Sequence, residues 1–383
     1  MRVLIATDSF KGSLKSLEVA NIIETGIRSV YSIAQFEKIA IADGGEGTVE
    51  AMVESLKGEY RYTEVSDPIG NNVRARYGII NGDTAIIEMA EASGLYLVPK
   101  DKRNPLITST YGTGELIRDA LSRGCRKILL GIGGSATNDG GMGMAAALGV
   151  KFLDKDGEPL AMGGGFLDRL QGIDISSVIP WVDETEFVVA CDVNNPLCGE
   201  RGASRVFGPQ KGASPQMVEL LDKNLLHYAD IIKKDLSIDV LDAPGGGAAG
   251  GLGAGLMVFC KAKLMKGMDI VLNTINIDDR IKAADIVITG EGRLDEQTAY
   301  GQVPVGVGLR AKKYDKPVFA IVGSIAKGAE LVYQQGIDSA VSAITAPMTI
   351  DEAIRESPRL IEEASERLFR IISAVAKYAP VAS

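Results

Sequence analysis

The sequence predicts an α/β protein of two unlike α/β domains: a Rossmann-like parallel-sheet domain built from both chain ends, and a mixed α/β domain inserted into it. Three observations lead there. The chain has 383 residues, beyond the roughly 250–300 at which one hydrophobic core stops growing. Short apolar runs alternate with helical periodicity at both ends, the pattern of a parallel sheet. Between them lie strand-like runs joined by hairpin turns, the pattern of antiparallel pairing.

Val3 to Ala6 is a short apolar run expected to be a strand buried on both faces. The turn DSFKGS follows, and after Ser13 or Ser16 as N-cap the residues Val19, Ile22, Ile23, Ile27 and Val30 keep helical spacing. Ile39 to Ala42 reads as a second strand, leading through DGGEGT into a helix from Val49 to Leu56. Tyr60 to Val65, Val73 to Ile80 and Thr84 to Met89 read as successive strands, separated by DPIGNN and NGD. Parallel character returns with strands at Asp285 to Thr289, Val318 to Val322 and Ser339 to Ile344. A short helix from about Asp351 is expected to stop before Pro358, with a new helix running on to about Ala376. The domains are therefore expected at 1–68 with 284–383, and at 69–283, with the active site in the cleft between them.

Charge and composition exclude several functions. The formal net charge is −9 and no block of like charges stands out, so the concentrated basic face that a nucleic acid needs is missing. The four cysteines, Cys125, Cys191, Cys198 and Cys260, have no CxxC spacing and fit reduced thiols. The single histidine, His227, sits in the helical stretch LLDKNLLHYADIIKK and fits an ordinary helix residue. No stretch approaches 18 apolar residues and the start MRVLIATDSF lacks a signal-peptide core, so a cytoplasmic protein with no membrane partner is expected.

Glycine is the outlier, at 45 residues, and it comes in bursts. Six segments pair it with polar or charged residues: Asp8–Ser13 (DSFKGS), Asp43–Thr48 (DGGEGT), Gly131–Gly141 (GIGGSATNDGG), Asp192–Ser204 (DVNNPLCGERGAS), Gly245–Gly255 (GGGAAGGLGAG) and Gly290–Asp295 (GEGRLD). Glycine lets main-chain N–H groups converge on an anion, and a following helix N-terminus adds partial positive charge. Carboxylates in such loops suit Mg²⁺, which takes one or two of them along with phosphate oxygens and water. Together these are the parts phosphoryl transfer requires. No G-x-x-x-x-G-K-[ST] is present, which argues against a P-loop protein. A dinucleotide fingerprint competes: Lys127 to Leu130 leads into G131-x-G133-x-x-A136, with Asp154 following after Val150 to Leu153.

Longer stretches are more specific. ATDSFKGSL, ADGGEGT, TSTYGTGELI, GIGGSATNDGGMGMAAALG, CDVNNPLCGERGAS, FGPQKGA, PGGGAAGGLGAGL and TGEGRLDEQTAYGQVP, in that order along the chain, together resemble the bacterial type 1 glycerate kinase family. The resemblance implies two unlike α/β domains, one formed by both chain ends. It implies ATP-dependent phosphorylation of D-glycerate in glyoxylate, glucarate or galactarate breakdown, at the 2-hydroxyl or the 3-hydroxyl, with D-glycerate and ATP as small-molecule partners. Monomer and homodimer both remain open.

The residue roles are read from chemistry. Lys11, in the loop after the first strand, is a candidate contact for the transferring phosphate. Asp8, at that strand's end, can act on the substrate hydroxyl or a metal, or else cap the following helix. Asp192 and Asp295 follow strands and are candidate Mg²⁺ ligands or general bases. Arg293 can grip the glycerate carboxylate through both oxygens, or else pair with Glu291 or Asp295. Ser135, Thr137 and Asn138 are candidate hydrogen-bonding partners of substrate. Gly44 and Gly45, with Gly246, Gly247 and Gly250, can cradle nucleotide phosphates, though the later glycines can equally serve close helix packing. Two other functions stay open: an NAD(P)-binding dehydrogenase of a small hydroxy acid, and a non-catalytic small-ligand sensor.

Overall fold

The protein is described from a computed structural model, which covers residues 1–42 and 47–378. The chain first lays down β1 (Arg2–Thr7) and β2 (Gln35–Ala40). It continues with β3 (Glu59–Ser66), β4 (Asn72–Ile80), β5 (Thr84–Glu88), β6 (Lys127–Gly131), β7 (Lys151–Leu153), β8 (Gly172–Asp174), β9 (Glu186–Ala190) and β10 (Lys263–Met265). It ends with β11 (Ile286–Gly290), β12 (Arg293–Leu294), β13 (Val318–Val322), β14 (Ser324–Ile325) and β15 (Ser339–Ser342). Two compact units result, residues 1–56 with 268–383, and residues 57–267.

In the first unit the sheet order is β15-β13-β11-β1-β2, with every pairing parallel. Val3 and Ile5 of β1 and Ile286 and Ile288 of β11 are buried, and they pack with Val19, Ile23 and Ile27 of the helix Ser16–Arg28. Ile361, Leu368 and Phe369 of the helix Ile350–Tyr378 complete that core. In the second unit the order is β10-β9-β6-β5-β4-β3, with β3, β4 and β5 antiparallel and the rest parallel.

Unit boundaries fall at 56/57 and 267/268, not at 68/69 and 283/284. DPIGNN is a hairpin turn inside the second sheet, because Asp67 accepts from the Ile69 and Asn71 N–H groups and β3 pairs with β4 along its whole length. The helices Gly267–Thr274 and Ile277–Ala283 join the first unit, where Arg310 contacts both Asp269 (3.2 Å) and Asp278 (2.5 Å).

Three local expectations change. β2 begins at Gln35, not Ile39; it is an edge strand whose first residues are polar and partly exposed, so the apolar run marks only its buried end. The N-cap of the first helix is Lys15, whose N–H is taken by Glu18 at 2.8 Å. Ser16 lies inside the helix and donates to the Ile41 carbonyl at 3.2 Å. Helix Ile350–Tyr378 runs through Pro358 without a break. Proline cannot donate to the carbonyl four residues back, here that of Ile354. Ser357 Oγ takes up that carbonyl at 2.9 Å and Ser13 Oγ reaches it at 3.4 Å.

All four cysteines are free thiols. His227 Nε2 lies 2.7 Å from the Leu170 carbonyl oxygen, a packing role. Among the described residues no helix is long and apolar enough to cross a membrane.

Candidate active site

In the first unit the chain steps from β1 out to β2 and later returns on the other side of β1 as β11. In open parallel sheets ligands bind outside the carboxyl ends of the strands at such a reversal. The loops after β1, β11, β13 and β15 surround a cavity of about 510 Å³ there. The Asp8 N–H donates to the Gly290 carbonyl at 2.9 Å and the Gly323 N–H to the Glu291 carbonyl at 3.1 Å, which locks three strand ends together. Gly290 is required for this closeness, because a Cβ there would lie 2.1 Å from the Ile321 carbonyl oxygen.

Asp8, Lys11, Arg293 and Asp295 all line this cavity. Asp8 is 7% exposed and its Oδ1 accepts from the Ser9 N–H at 2.6 Å. Arg293 is paired with Asp295, Nε to Oδ2 at 3.3 Å, so its alternative partner is the one it holds here. Asp295 also accepts from the Gln297 N–H at 2.9 Å, which fixes the turn into Gln297–Tyr300.

Glu291, between these groups, was not singled out from the sequence. Its carboxylate is nearly buried and accepts from Thr298 Oγ1 at 2.5 Å. Burial pushes its pKa from 4.5 up to about 7; the Thr298 bond and Lys11 oppose the rise, and the negative Asp8 and Asp295 add to it. A carboxyl raised on folding adds stability that is complete below its unfolded pKa, here 4.5, and is lost as pH rises through about 7. Glu291→Gln, permanently neutral, is therefore expected to flatten the melting temperature between about pH 5 and about pH 8 in ligand-free, metal-free buffer. An unchanged slope, read by calorimetry, would mean that Glu291 does not titrate in that window.

Apart from Gly44 and Gly45, the remaining candidates belong to the second unit. Lys211 is 2% exposed, and its Nζ donates to Ser135 Oγ and to the Thr137 carbonyl, both at 2.7 Å. Burial pushes its pKa down to about 7. Asp139, fully buried, accepts from the Thr110 N–H (2.8 Å), Thr110 Oγ1 (2.9 Å), the Gly141 N–H (3.1 Å) and the Gly143 N–H (3.2 Å). Thr137 and Asn138 are likewise buried, and Asn138 Nδ2 donates to Ser204 Oγ at 2.9 Å. These two side chains thus sit inside the unit and not on an open face. Thr137 Oγ1 and Asn138 Oδ1 have no hydrogen-bond partner.

The later glycines meet backbone. A Cβ on Gly250 would lie 2.0 Å from the Thr137 carbonyl oxygen and one on Gly247 2.2 Å from that of Pro196, whereas Gly246 has a 3.0 Å neighbour in Ala243. Close packing of two glycine-rich loops accounts for them without a phosphate. Gly250 also has φ +71°, so Gly250→Ala combines strain with a clash against rigid backbone. It is expected to cost on the order of 3 kcal/mol or more in urea unfolding, while Gly133→Ala, with nothing within 4 Å, should cost under about 1 kcal/mol. Equal midpoints for the two variants would refute this account.

Asp192 is exposed, and its Oδ1 accepts from the Gly267 N–H at 3.2 Å. Gly44 and Gly45, with Asp43, lie outside the described residues. Among the described residues no three His, Cys, Asp or Glu side chains are grouped to hold a metal ion. Mg²⁺ commonly takes only one or two carboxylates, with phosphate oxygens and water filling its remaining positions, so it does not require such a group.

The dinucleotide fingerprint fails structurally. After β6 the chain does not enter a helix until Met142–Ala147, so G131-x-G133-x-x-A136 opens no helix onto which a pyrophosphate could dock. Asp154, the acidic residue of the fingerprint, caps its own turn by accepting from the Asp156 and Glu158 N–H groups.

Comparison with known proteins agrees with the motif reading. The profile described as "Glycerate kinase family" matches residues 3–373. A glycerate kinase of Halalkalibacterium halodurans is 52% identical over 368 residues, covering 96% of this chain and 97% of that one. A glycerate 2-kinase of Escherichia coli K12 is 52% identical over 356 residues, 93% of each. A crystal structure of a Salmonella typhimurium LT2 protein, provisionally described as glycerate kinase 2, superposes with a TM-score of 0.91 at 47% identity, covering 98% of this chain and 99% of that one.

Proposed function

The chain belongs to the glycerate kinase family, and we propose that its reaction is transfer of the ATP γ-phosphoryl group to the 2-hydroxyl of D-glycerate, giving 2-phospho-D-glycerate and ADP. It is a phosphotransferase, and kinase activity implies ATP. The 2-hydroxyl is chosen on the strength of the Escherichia coli relative, a glycerate 2-kinase. We place the step in the cytoplasm, in the breakdown of glyoxylate, glucarate or galactarate.

One observation carries the reading: two cationic and three acidic side chains meet at the strand reversal of the first sheet, in one cavity. Phosphoryl transfer is catalysed by positioning and electrostatics more than by covalent chemistry, and this set supplies both. Lys11 neutralises charge on the transferring phosphoryl group. Arg293, on leaving Asp295, presents a planar fork to the glycerate carboxylate. Asp8 or Glu291 accepts the hydroxyl proton. Asp295, released from Arg293, is the carboxylate best placed to hold Mg²⁺, which supplies neutralisation of phosphate charge when bound with the nucleotide.

The test is ³¹P NMR of the product made from ATP, Mg²⁺ and D-glycerate, with proton coupling retained. Phosphate on the 2-hydroxyl couples to a single carbon-bound proton and gives a doublet; on the 3-hydroxyl it couples to a methylene and gives a triplet. A doublet is expected. No phosphorylated product at all would overturn the reading.

A further inference from the structure

We propose that the cavity of the first unit is the nucleotide site, with the purine ring lying against the wall formed by Ile344, Met348, Ile354 and Leu360 and the phosphates directed to the Ser9–Ser13 loop. This deepens the kinase reading and rests on it.

The cavity is chemically two-ended. Among the described residues, every charged side chain lining it, from Asp8 and Lys11 to Glu291, Arg293 and Asp295, comes from the segments after β1 and β11. On the opposite wall, from the segment after β15 and the start of the helix Ile350–Tyr378, the residues that line the cavity are uncharged, although Asp351 and Glu352 belong to the same helix turn. Ile344, Met348, Ile354 and Leu360 line it, and Ile354 is 40% exposed. An exposed apolar wall facing a charged rim matches a molecule with a flat, poorly hydrated ring at one end and anionic oxygens at the other. A three-carbon acid matches only the charged end. The volume of about 510 Å³ also lies within the roughly 300–1,000 Å³ of sites that enclose a larger organic ligand, well beyond the needs of a three-carbon acid.

The two ends are joined by one junction. Pro358 frees the Ile354 carbonyl, and Ser13, from the Lys11 loop, bonds both that carbonyl (3.4 Å) and Ser357 Oγ (2.6 Å). The loop assigned to the phosphates is thereby held at a set distance from the helix assigned to the base. Without Pro358 the carbonyl would be taken up inside the helix, leaving Ser13 only its bond to Ser357 Oγ.

The experiment compares wild type, Ile354→Glu and Ile354→Leu in the full chain, by steady-state kinetics and by titration with a fluorescent adenine nucleotide displaced by ADP. Ile354→Glu is expected to raise the KM for ATP and the nucleotide Kd at least about tenfold, leaving the KM for D-glycerate and the melting temperature near wild type. Ile354→Leu should restore both constants. A rise in the KM for D-glycerate alone, or no change in either constant, would overturn the proposal. If wild type binds nucleotide, Ile354→Glu abolishes that binding, and D-glycerate releases no ADP, the site stands and the kinase reading falls. Should Ile354→Glu fail to melt cooperatively, Met348→Gln, in the loop before the helix, carries the same test.

Discussion

Lys11→Ala is expected to lower kcat by at least about 10³-fold while leaving the melting temperature within experimental error. Its side chain is exposed and lines the charged end of the first-unit cavity, in a tight turn where Gly12 takes φ +80°. Exposure means that the fold gains little from it, so the loss should fall on the reaction. A cation facing the transferring group interacts more strongly as charge shifts onto the leaving oxygen, so kcat should fall more than the KM for ATP rises. Steady-state kinetics with ADP release as the readout, alongside calorimetry, separates the two. Turnover near wild type would remove Lys11 from the mechanism. Asp295→Ala should lower kcat to a similar degree but is a less clean test, because Asp295 also fixes the Gln297 turn and pairs with Arg293.

Asp139→Ala should do the opposite: destabilise the second unit by about 3–5 kcal/mol, the range found when one partner of a buried charged network is removed. Its carboxylate is fully buried and satisfies three backbone N–H groups and one hydroxyl that have no water to turn to. Leaving these donors empty costs more than the bonds contributed. The same carboxylate holds the start of the helix Met142–Ala147 against Thr110, and its negative charge favours the ammonium form of the buried Lys211. Urea unfolding followed by circular dichroism measures the loss. A change below about 1 kcal/mol would mean that the network can rearrange or admit water. Asp139→Asn should fall between, because an amide keeps one acceptor oxygen but turns its own donors toward N–H groups.

Most strands of the two sheets, though not the three-residue β10, were legible because burial on two faces writes itself as short apolar runs: the expected Val318 to Val322 coincides with β13 and the expected Val3 to Ala6 lies within β1. The exposed edge strand β2 was legible only at its buried end, and Pro358 was read as a break because nothing local announces that Ser13, far back in the chain, will bind the carbonyl it frees. Of the residues that line the first-unit cavity, Asp8, Lys11, Arg293 and Asp295 had been singled out, since a polar residue after an apolar strand points to the ligand edge of a parallel sheet. Glu291 stood in the same GEGRLD motif, but its raised pKa depends on burial and on the nearby Asp8 and Asp295, which outweigh the opposing Thr298 bond. Lys211 and Asp139 lay in quoted motifs as well, and their importance comes from being sealed away from water, which the motifs do not reveal.

Membership of a kinase family and the order of strands and glycine loops were set by the sequence alone, because both are written in local runs and turns whose meaning does not depend on distant partners. Tertiary structure decided which of those loops share a cavity, which glycines serve only to let two backbones touch, and which ionisable groups lose their water. Each of these depends on separate segments of the chain meeting in space, and desolvation, close contact and charge proximity exist only once they have met.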